Sequence, residues 1–136
     1  MSDNQYYDRD HNSMYHADRS WGTYNIMWTR SDCKVKHLIV NPKTGMSFQR
    51  HFKRQELWFV QEGEIEVRWS FRSEAEPERN YNKRLLKKFD WYYVPLQEWH
   101  QIINLTDKQA HIIEIQFGEE CIEDDIERLS YYDELK

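Results

Sequence analysis

The chain has 136 residues, a formal net charge of −5 and 15% aromatic residues. This length suits a single domain, and a disordered chain of similar polarity would lack the aromatic residues. The acidic balance argues against nucleic acid as a partner, and no apolar run reaches the roughly 20 residues that a membrane span needs.

The first residues carry no apolar signal-peptide core, and Cys33 and Cys121 stand far apart, as expected of reduced thiols in the cytoplasm. Residues 1–18 are polar and without periodicity, so we interpret them as a mobile or loosely packed arm before a domain that spans 19–136. The charged segment 72–84 predicts a solvated loop, and Glu62-Gly63 predicts a tight turn between two strands.

Short segments rich in β-branched and aromatic residues predict strands from Trp21 onward. In chain order they are TYNIMWTR, KVKHLIV, MSFQRH, ELWFVQ, EIEVRWSF, LLKKFD, WYYVP, HQIINLT and AHIIEIQF. Only the closing segment IEDDIERLSYYDEL could hold a short helix. About ten short strands with close turns predict an all-β antiparallel sandwich or barrel, and the pattern alone does not choose between a jelly roll and an immunoglobulin-like sandwich.

Four polar residues form a candidate metal site. Gln49 and His51 are two apart, so an extended strand points both to one face. Glu56 joins them only if the chain bends between, and His100 follows from a later strand. Imidazole, carboxylate and amide oxygen together suit a divalent first-row ion. The alternative is that the two histidines are separate polar residues near strand ends.

The strand AHIIEIQF carries a second polar set. Alternation puts Glu114 and Gln116 on the face shared with Ile112, toward the interior, which is unusual unless that interior is a site. The alternative places Glu114 on a solvent face. An aromatic residue such as Trp58 is more often core than site, and the three acids at 123–125 are interpreted as a solvated turn.

The segment 49–63, QRHFKRQELWFVQEG, is spaced like the first cupin motif with Gln in place of its first His, and residues 95–104 are spaced like the second. More closely, SFQRHFKRQELWFVQEG resembles the S-L-Q-x-H-x-x-R-x-E-x-W-x-V-x-x-G signature of type II phosphomannose isomerase cupins. Three flanking pieces, RSWGTY, CKVKHLIVNP and IEIQFGEECIEDDIERL, also resemble that family. The resemblance covers the chain from about Arg19 to its C-terminus.

The resemblance implies a single-domain jelly-roll cupin that interconverts mannose 6-phosphate and fructose 6-phosphate through a cis-enediol. The metal would be Zn, with Mn, Co or Fe as alternatives, held by Gln49, His51, Glu56 and His100. The expected partners are a small sugar phosphate and a second copy in a homodimer, with no membrane. No Gly-rich phosphate loop precedes Arg19, so nucleotide-sugar synthesis is not assigned to the chain.

Four cations lie inside the family-like motifs, and arginine offers forked donors to phosphate. The resemblance assigns Arg19 and Arg54 to substrate binding together with Gln116. It assigns Lys36 and Arg128 to charge stabilisation or phosphate binding. Glu114 is the candidate base, and a metal-bound water is the other. For each cation the alternative is an ordinary solvated charge.

The sequence departs from the family where Ser20 replaces a proline and Lys43, Phe89 and Gln97 replace glycines. Because glycine marks positive φ, we expect reshaped turns around 95–100 and a narrowed or redirected site mouth. Two other functions stay open. One is an Fe(II) cupin oxygenase, which the glutamine ligand and the cations disfavour, and the other is a cupin that binds sugar or metal without turnover.

Overall fold

The computed structural model describes residues 16–132 as twelve β-strands, with no α-helix among them. The strands, numbered in chain order, are β1 (His16–Arg19), β2 (Gly22–Thr29), β3 (Cys33–Val40), β4 (Thr44–Gly45), β5 (Phe48–Arg50), β6 (Arg54–Glu62), β7 (Ile65–Ser70), β8 (Asn82–Leu86), β9 (Trp91–Val94), β10 (Trp99–Asn104), β11 (Ala110–Gly118) and β12 (Glu127–Ser130). The predicted all-β class is confirmed. No helix in the described part of the chain is long and apolar enough to cross a membrane.

The strands form two antiparallel sheets. The first has the order β1-β2-β3-β11-β6-β9, and the second has the order β12-β5-β10-β7-β8 with β4 paired to β10. Strands distant in sequence are neighbours in both sheets, since β3 pairs with β11 and β5 pairs with both β10 and β12. The sequence pattern could not provide this order, because alternation reports faces and not partners.

The inward faces of the first sheet change character along each strand. On β3 they present Lys34 and Lys36 first, and then Leu38 and Val40. On β11 the same change runs from Gln116 and Glu114 to Ile112, and on β6 from Glu56 to Val60. Because β3 and β6 run antiparallel to β11, the polar positions meet at one end of the sandwich and the apolar ones form the core at the other.

The bend that the metal hypothesis requires lies between β5 and β6. The segment 51–53 is not part of a strand, so His51 and Glu56 can turn to the same interior despite their odd spacing. The predicted turn at Glu62-Gly63 is also found, with Gly63 at φ 86°. There an added Cβ would lie 2.9 Å from the carbonyl oxygen of Gln109, so no other residue fits without a shift.

Several predicted boundaries are wrong. The closing segment forms strand β12 and not a helix, because its residues pair with β5. Strand β1 begins at His16, inside the predicted arm, whose residues 1–15 lie outside the described part of the chain. In LLKKFD only Leu85 and Leu86 are strand; β8 begins at Asn82, which shortens the predicted loop, and the rest forms a turn.

The expected loss of turn geometry at the replaced glycines does not occur. Lys43, Phe89 and Gln97 have φ values of 58°, 74° and 64°, so each adopts the left-handed conformation that glycine favours. The turn at Gln97 holds the site directly, because its backbone N–H donates to the carbonyl of His51 at 2.8 Å. The left-handed backbone is therefore kept without glycine, held by the surrounding hydrogen bonds, while a narrowed or redirected site mouth stays a prediction.

Candidate metal centre and adjoining cavity

Three predicted ligands converge in the interior at the polar end of the sandwich. His51 from the β5–β6 bend, Glu56 from β6 and His100 from β10 have ligand atoms that all lie within 4.8 Å of one another, and all three are buried. His51 Nε2 lies 3.2 Å from Glu56 Oε2, and His100 Nε2 lies 4.0 Å from Glu56 Oε1. The alternative that the histidines are separate strand-end residues is therefore wrong.

Hydrogen bonds orient both imidazoles for metal binding. His51 Nδ1 donates to the carbonyl of Asp125 at 2.7 Å, and His100 Nδ1 donates to the carbonyl of Glu98 at 2.8 Å. A carbonyl only accepts, so each Nδ1 carries the proton and each Nε2 presents a lone pair to the centre. His100 Nε2 is buried and has no hydrogen-bond partner among the described residues. The donor set fits a divalent ion.

The electrostatics also favour a cation. Burial lowers the pKa of His51 and lowers that of His100 to about 4, so both imidazoles are neutral near pH 7. Burial opposes ionisation of Glu56, but the imidazolium that His51 forms at low pH and the guanidinium of Arg54 still hold the pKa of Glu56 below the ordinary value. Two neutral imidazoles and one carboxylate are a common set for first-row metals.

Gln49, the fourth predicted ligand, stands beside this triad. It lies directly opposite His100 in the β5–β10 pairing, so both side chains leave the sheet on the same side. Ser47 Oγ donates to its Oε1 at 2.9 Å, which leaves one lone pair on that oxygen for another partner. Its place in a metal site stays a prediction.

A cavity of about 500 Å³ opens next to the triad. The four predicted cations, Arg19, Lys36, Arg54 and Arg128, all line it. Three further predicted residues, Gln49, Glu114 and Gln116, line it as well. Residues from β1, β3, β5, β6, β11 and β12 thus meet around one space, as the sequence hypothesis requires.

The carboxyl group of Glu114 forms the polar wall between cavity and triad. Trp58 Nε1 donates to Glu114 Oε2 at 3.1 Å and to Glu56 Oε1 at 3.0 Å, and Gln116 Nε2 donates to Glu114 Oε1 at 2.8 Å. Burial and the nearby charge of Glu56 raise the pKa of Glu114 to about 8, against the lowering effect of Lys36. Of the two buried carboxyl groups, Glu56 is therefore the one that ionises more readily.

Trp58 is both core and site. It is buried, stacks on Tyr92 and meets the edge of His100, as the core interpretation predicts. Its indole N–H also bridges the two carboxyl groups, a role that the sequence pattern did not indicate. The inward placement of Glu114 and Gln116 is confirmed by their burial.

A second ion-paired group lies at the cavity wall. Lys36 Nζ donates to both carboxylate oxygens of Glu123 at 3.1 and 3.0 Å and lies 4.1 Å from the ring centroid of Tyr24. Lys34 Nζ donates to the same carboxylate at 3.2 Å. The solvated-charge interpretation of Lys36 is wrong, since the residue is 4% exposed. Lys34 was missed, although its spacing from Lys36 already puts it on the same face.

The acidic segment 123–125 is not a plain solvated turn. Asp125 accepts the backbone N–H groups of Phe52 and Lys53 with its side chain, at 2.9 and 2.8 Å, while its carbonyl binds His51. It therefore fixes the bend that carries a candidate metal ligand. No local pattern indicated this role, because the contacts join positions more than 70 residues apart.

The arginines differ in their surroundings. Arg54 is buried and contacts the triad, since its Nε donates to Glu56 Oε2 at 3.0 Å. Arg19 and Arg128 are exposed at the cavity mouth, and Arg19 lies 5.3 Å from the ring centroid of Tyr24. All three arginines line the cavity, but only Arg54 also contacts the candidate metal ligands.

The chain resembles several known proteins. Residues 3–131 match the family described as "Mannose-6-phosphate isomerase C-terminal". Alginate biosynthesis protein AlgA of Pseudomonas putida is 34% identical over 81% of this chain and 21% of its own length. Mannose-1-phosphate guanylyltransferase of Escherichia coli is 28% identical over 95% of this chain and 24% of its own length. The chain thus spans about a fifth to a quarter of these relatives.

Among solved structures, the capsular polysaccharide assembling protein CapF of Staphylococcus aureus has a TM-score of 0.70 at 17% identity, covering 85% of this chain and 34% of that one. At this identity the likeness supports the fold alone, and it agrees with the two-sheet architecture and with the expected single cupin domain. The family match and the fold lead to one conclusion: the chain belongs to the mannose-6-phosphate isomerase C-terminal family and folds as a cupin domain.

Proposed function

We propose that the chain is a metal-dependent aldose–ketose isomerase that interconverts mannose 6-phosphate and fructose 6-phosphate. The observation that carries the proposal is a buried His-Glu-His triad that Arg54 connects to a cavity lined by four cations. The cavity volume lies within the range for small-molecule sites, and a sugar phosphate needs both dianion recognition and polar contacts to hydroxyl groups. The family membership supplies the choice of sugar.

The cations divide into two groups by exposure. Arg19 and Arg128 at the mouth are placed to bind the phosphate, since their forked donors are accessible from solvent. Lys36 and Arg54 lie deeper, where they can stabilise negative charge that develops on the sugar oxygens. Gln116 Oε1 is buried and has no hydrogen-bond partner among the described residues, so it can accept from a sugar hydroxyl.

The proposed cofactor is a divalent ion, zinc by the family resemblance, held by His51, Glu56 and His100 with Gln49 as fourth ligand. A bound ion would supply Lewis-acid polarisation of the sugar oxygens. Neutral imidazoles and a neutral amide leave Glu56 as the one anionic ligand, so a doubly charged ion keeps net positive charge. That charge favours an enediolate over the neutral sugar.

Glu114 is the proposed proton carrier of the isomerisation. Its carboxyl lines the cavity beside the triad, and Gln116 and Trp58 fix its orientation. In its ionised form Glu114 takes the proton from C2 of the open-chain aldose and returns it to C1, while the hydroxyl proton on O2 passes to O1, so the cis-enediol is the intermediate and the carboxylate is regenerated. A single carboxyl can serve both carbons because they are adjacent and the transfer occurs on one face.

The proposal is tested by a coupled assay of fructose 6-phosphate formation from mannose 6-phosphate. The protein is stripped with chelator and re-supplied singly with Zn, Mn, Co or Fe(II). We expect activity to return with metal, to be absent in His51→Ala, and to fall roughly 100-fold or more in kcat for Glu114→Gln, since general acid–base catalysis contributes about that much.

His16→Ala is the matched control for the assay, since this exposed histidine contacts Asn25 and Asp18 outside the cavity. It should keep the activity of the unaltered chain. Protein that binds one metal ion stoichiometrically but shows no turnover with any metal would contradict the proposal. It would leave a cupin that binds sugar or metal without catalysis.

Both cysteines of the chain are free thiols, which supports the proposed cytoplasmic location. The guanylyltransferase activity that names the Escherichia coli relative belongs to a protein about four times longer than the matched region. It is not part of this proposal.

A further inference from the structure

The guanidinium of Arg54 bridges two candidate metal ligands and the cavity. Its Nε donates to Glu56 Oε2 at 3.0 Å, its Nη2 donates to His51 Nε2 at 3.3 Å, and its Nη1 donates to the carbonyl of Ile122 at 3.0 Å. The side chain is 6% exposed and also lines the cavity. The Arg54 guanidinium therefore contacts both the candidate metal ligands and the cavity.

The contact with His51 excludes a metal at the same atom. His51 Nδ1 carries the ring proton because it donates to the carbonyl of Asp125, so Nε2 has a single lone pair. That lone pair accepts from Arg54 Nη2 here. A metal ion that takes His51 as a ligand must use the same lone pair, so the Arg54 donor has to leave first.

The carboxylate of Glu56 gives a second, electrostatic reason why Arg54 must move when a metal binds. Arg54 is the buried cation that neutralises Glu56 in the absence of a metal. A divalent ion held by Glu56 would replace that charge and repel the guanidinium at short range. The neighbouring cavity, which Arg54 already lines, is the space in which the released donors can find an anionic partner.

We infer that Arg54 links the metal centre to anion binding in the cavity: it neutralises the carboxylate of Glu56 when no metal is bound, and metal binding releases its donors to an anionic oxygen of the molecule in the cavity. This inference rests on the proposed function for the identity of the natural ligand, but the linkage concerns binding only. Linkage is reciprocal, so an anion in the cavity must raise the metal affinity by the factor with which the metal raises the anion affinity.

The test measures binding of Co²⁺ to chelator-stripped protein by calorimetry, with and without saturating inorganic phosphate. For the unaltered chain we expect phosphate to tighten Co²⁺ binding roughly tenfold, within the usual range of coupling between two sites. For Arg54→Met we expect Co²⁺ to bind tighter than in the unaltered chain without phosphate, because the competing donor is gone. We also expect the effect of phosphate to disappear.

Arg128→Met is the matched control, since Arg128 lines the same cavity but makes no hydrogen bond or ion pair with the triad in the described part of the chain. It should weaken phosphate binding equally with and without Co²⁺, so the coupling factor is kept. If Arg54→Met fails to fold, Arg54→Lys replaces it, because lysine keeps the charge but cannot span His51 and Glu56 as a fork. This variant should also bind Co²⁺ more tightly than the unaltered chain.

Unchanged or weaker Co²⁺ binding in a folded Arg54 variant would overturn the inference, as would phosphate coupling that persists in Arg54→Met. These outcomes are separate from those of the isomerase assay, because no turnover is measured. Turnover without coupling would reject the linkage alone, and coupling without turnover would reject the isomerase proposal alone.

Discussion

At the scale of single residues, the site depends on charges buried in balanced groups. Glu56 is neutralised by Arg54 and shares the indole donor of Trp58 with Glu114. Lys36 is neutralised by Glu123. A buried charge without a partner is costly, so each of these residues constrains its neighbour. The cavity can therefore carry many ionised groups in a small chain.

The Glu123 carboxylate provides a test of this balance through pH. Partial burial alone would raise its pKa, but the charges of Lys36 and Lys34 hold the pKa at about 2, below the ordinary value of 4.5. A carboxylate with a lowered pKa in the folded state stabilises the fold above about pH 4.5. That contribution is lost as the pH falls toward 2.

We expect Glu123→Gln to lower the free energy of unfolding by about 1–2 kcal/mol at pH 7, a value reduced because the carboxylate is half-exposed and screened. The difference from the unaltered chain should shrink at pH 3 and nearly vanish at pH 2. Urea unfolding at each pH measures it. Glu120→Gln is the control, since its exposed pair with Lys53 should contribute under about 0.5 kcal/mol. A difference that is independent of pH would contradict the ion-pair explanation.

At the scale of elements, the turns that brace the strands keep glycine geometry without glycine. The turn that follows Pro95 is the one closest to the metal centre, through the hydrogen bond from Gln97 to His51. A side chain at φ 64° costs about 1 kcal/mol relative to glycine, because Cβ crowds the following carbonyl.

We expect Gln97→Gly to raise the free energy of unfolding by up to about 0.6 kcal/mol, the strain of about 1 kcal/mol less the roughly 0.4–1 kcal/mol of extra chain entropy of glycine. Gln97→Ala is the control, since it removes the same side-chain atoms but keeps Cβ, and it should be close to neutral. The midpoint of urea unfolding compares the two. If glycine is no more stable than alanine at this position, the turn stores no strain.

The sequence patterns predicted which residues face the interior, but not which strands pair with each other. Alternation along β11 placed Glu114 and Gln116 inside, because alternation is a local signal. His51, Glu56 and His100 were grouped by the resemblance to two separate family motifs, since His100 lies 44 residues after Glu56. The roles of Asp125 and Glu123 were missed, since they depend on the path of the chain after β11, which no local pattern encodes. The predicted helix at the closing segment is wrong because the pairing of β12 with β5 outweighs the weak local propensity of its four residues.

At the scale of the whole molecule, the outer face of the first sheet is apolar in two rows. One row crosses Val35, Ile115, Leu57 and Tyr93, and the other crosses His37, Ile113, Phe59 and Trp91. Phe59, Tyr93 and Trp91 are 39%, 42% and 62% exposed. An exposed apolar face of this kind on an antiparallel sheet is typical of a protein–protein interface, because such a sheet usually presents polar residues to water.

We propose that a second copy of the chain covers this face and so forms the predicted homodimer. Ile115 lies at the centre of the first row, between Val35 and Leu57.

We expect Ile115→Lys to convert the dimer to a monomer, because a charge buried in an apolar interface has no partner. Sedimentation velocity over a range of protein concentrations measures the change, and circular dichroism checks that the sheets are retained. Leu105→Lys, at an exposed position in the β10–β11 turn, should leave the dimer intact. A monomeric unaltered chain would show that no such dimer forms. A dimer that survives Ile115→Lys would show that the two copies meet elsewhere, since copies that meet through this face cannot accommodate the lysine without desolvating its ammonium group.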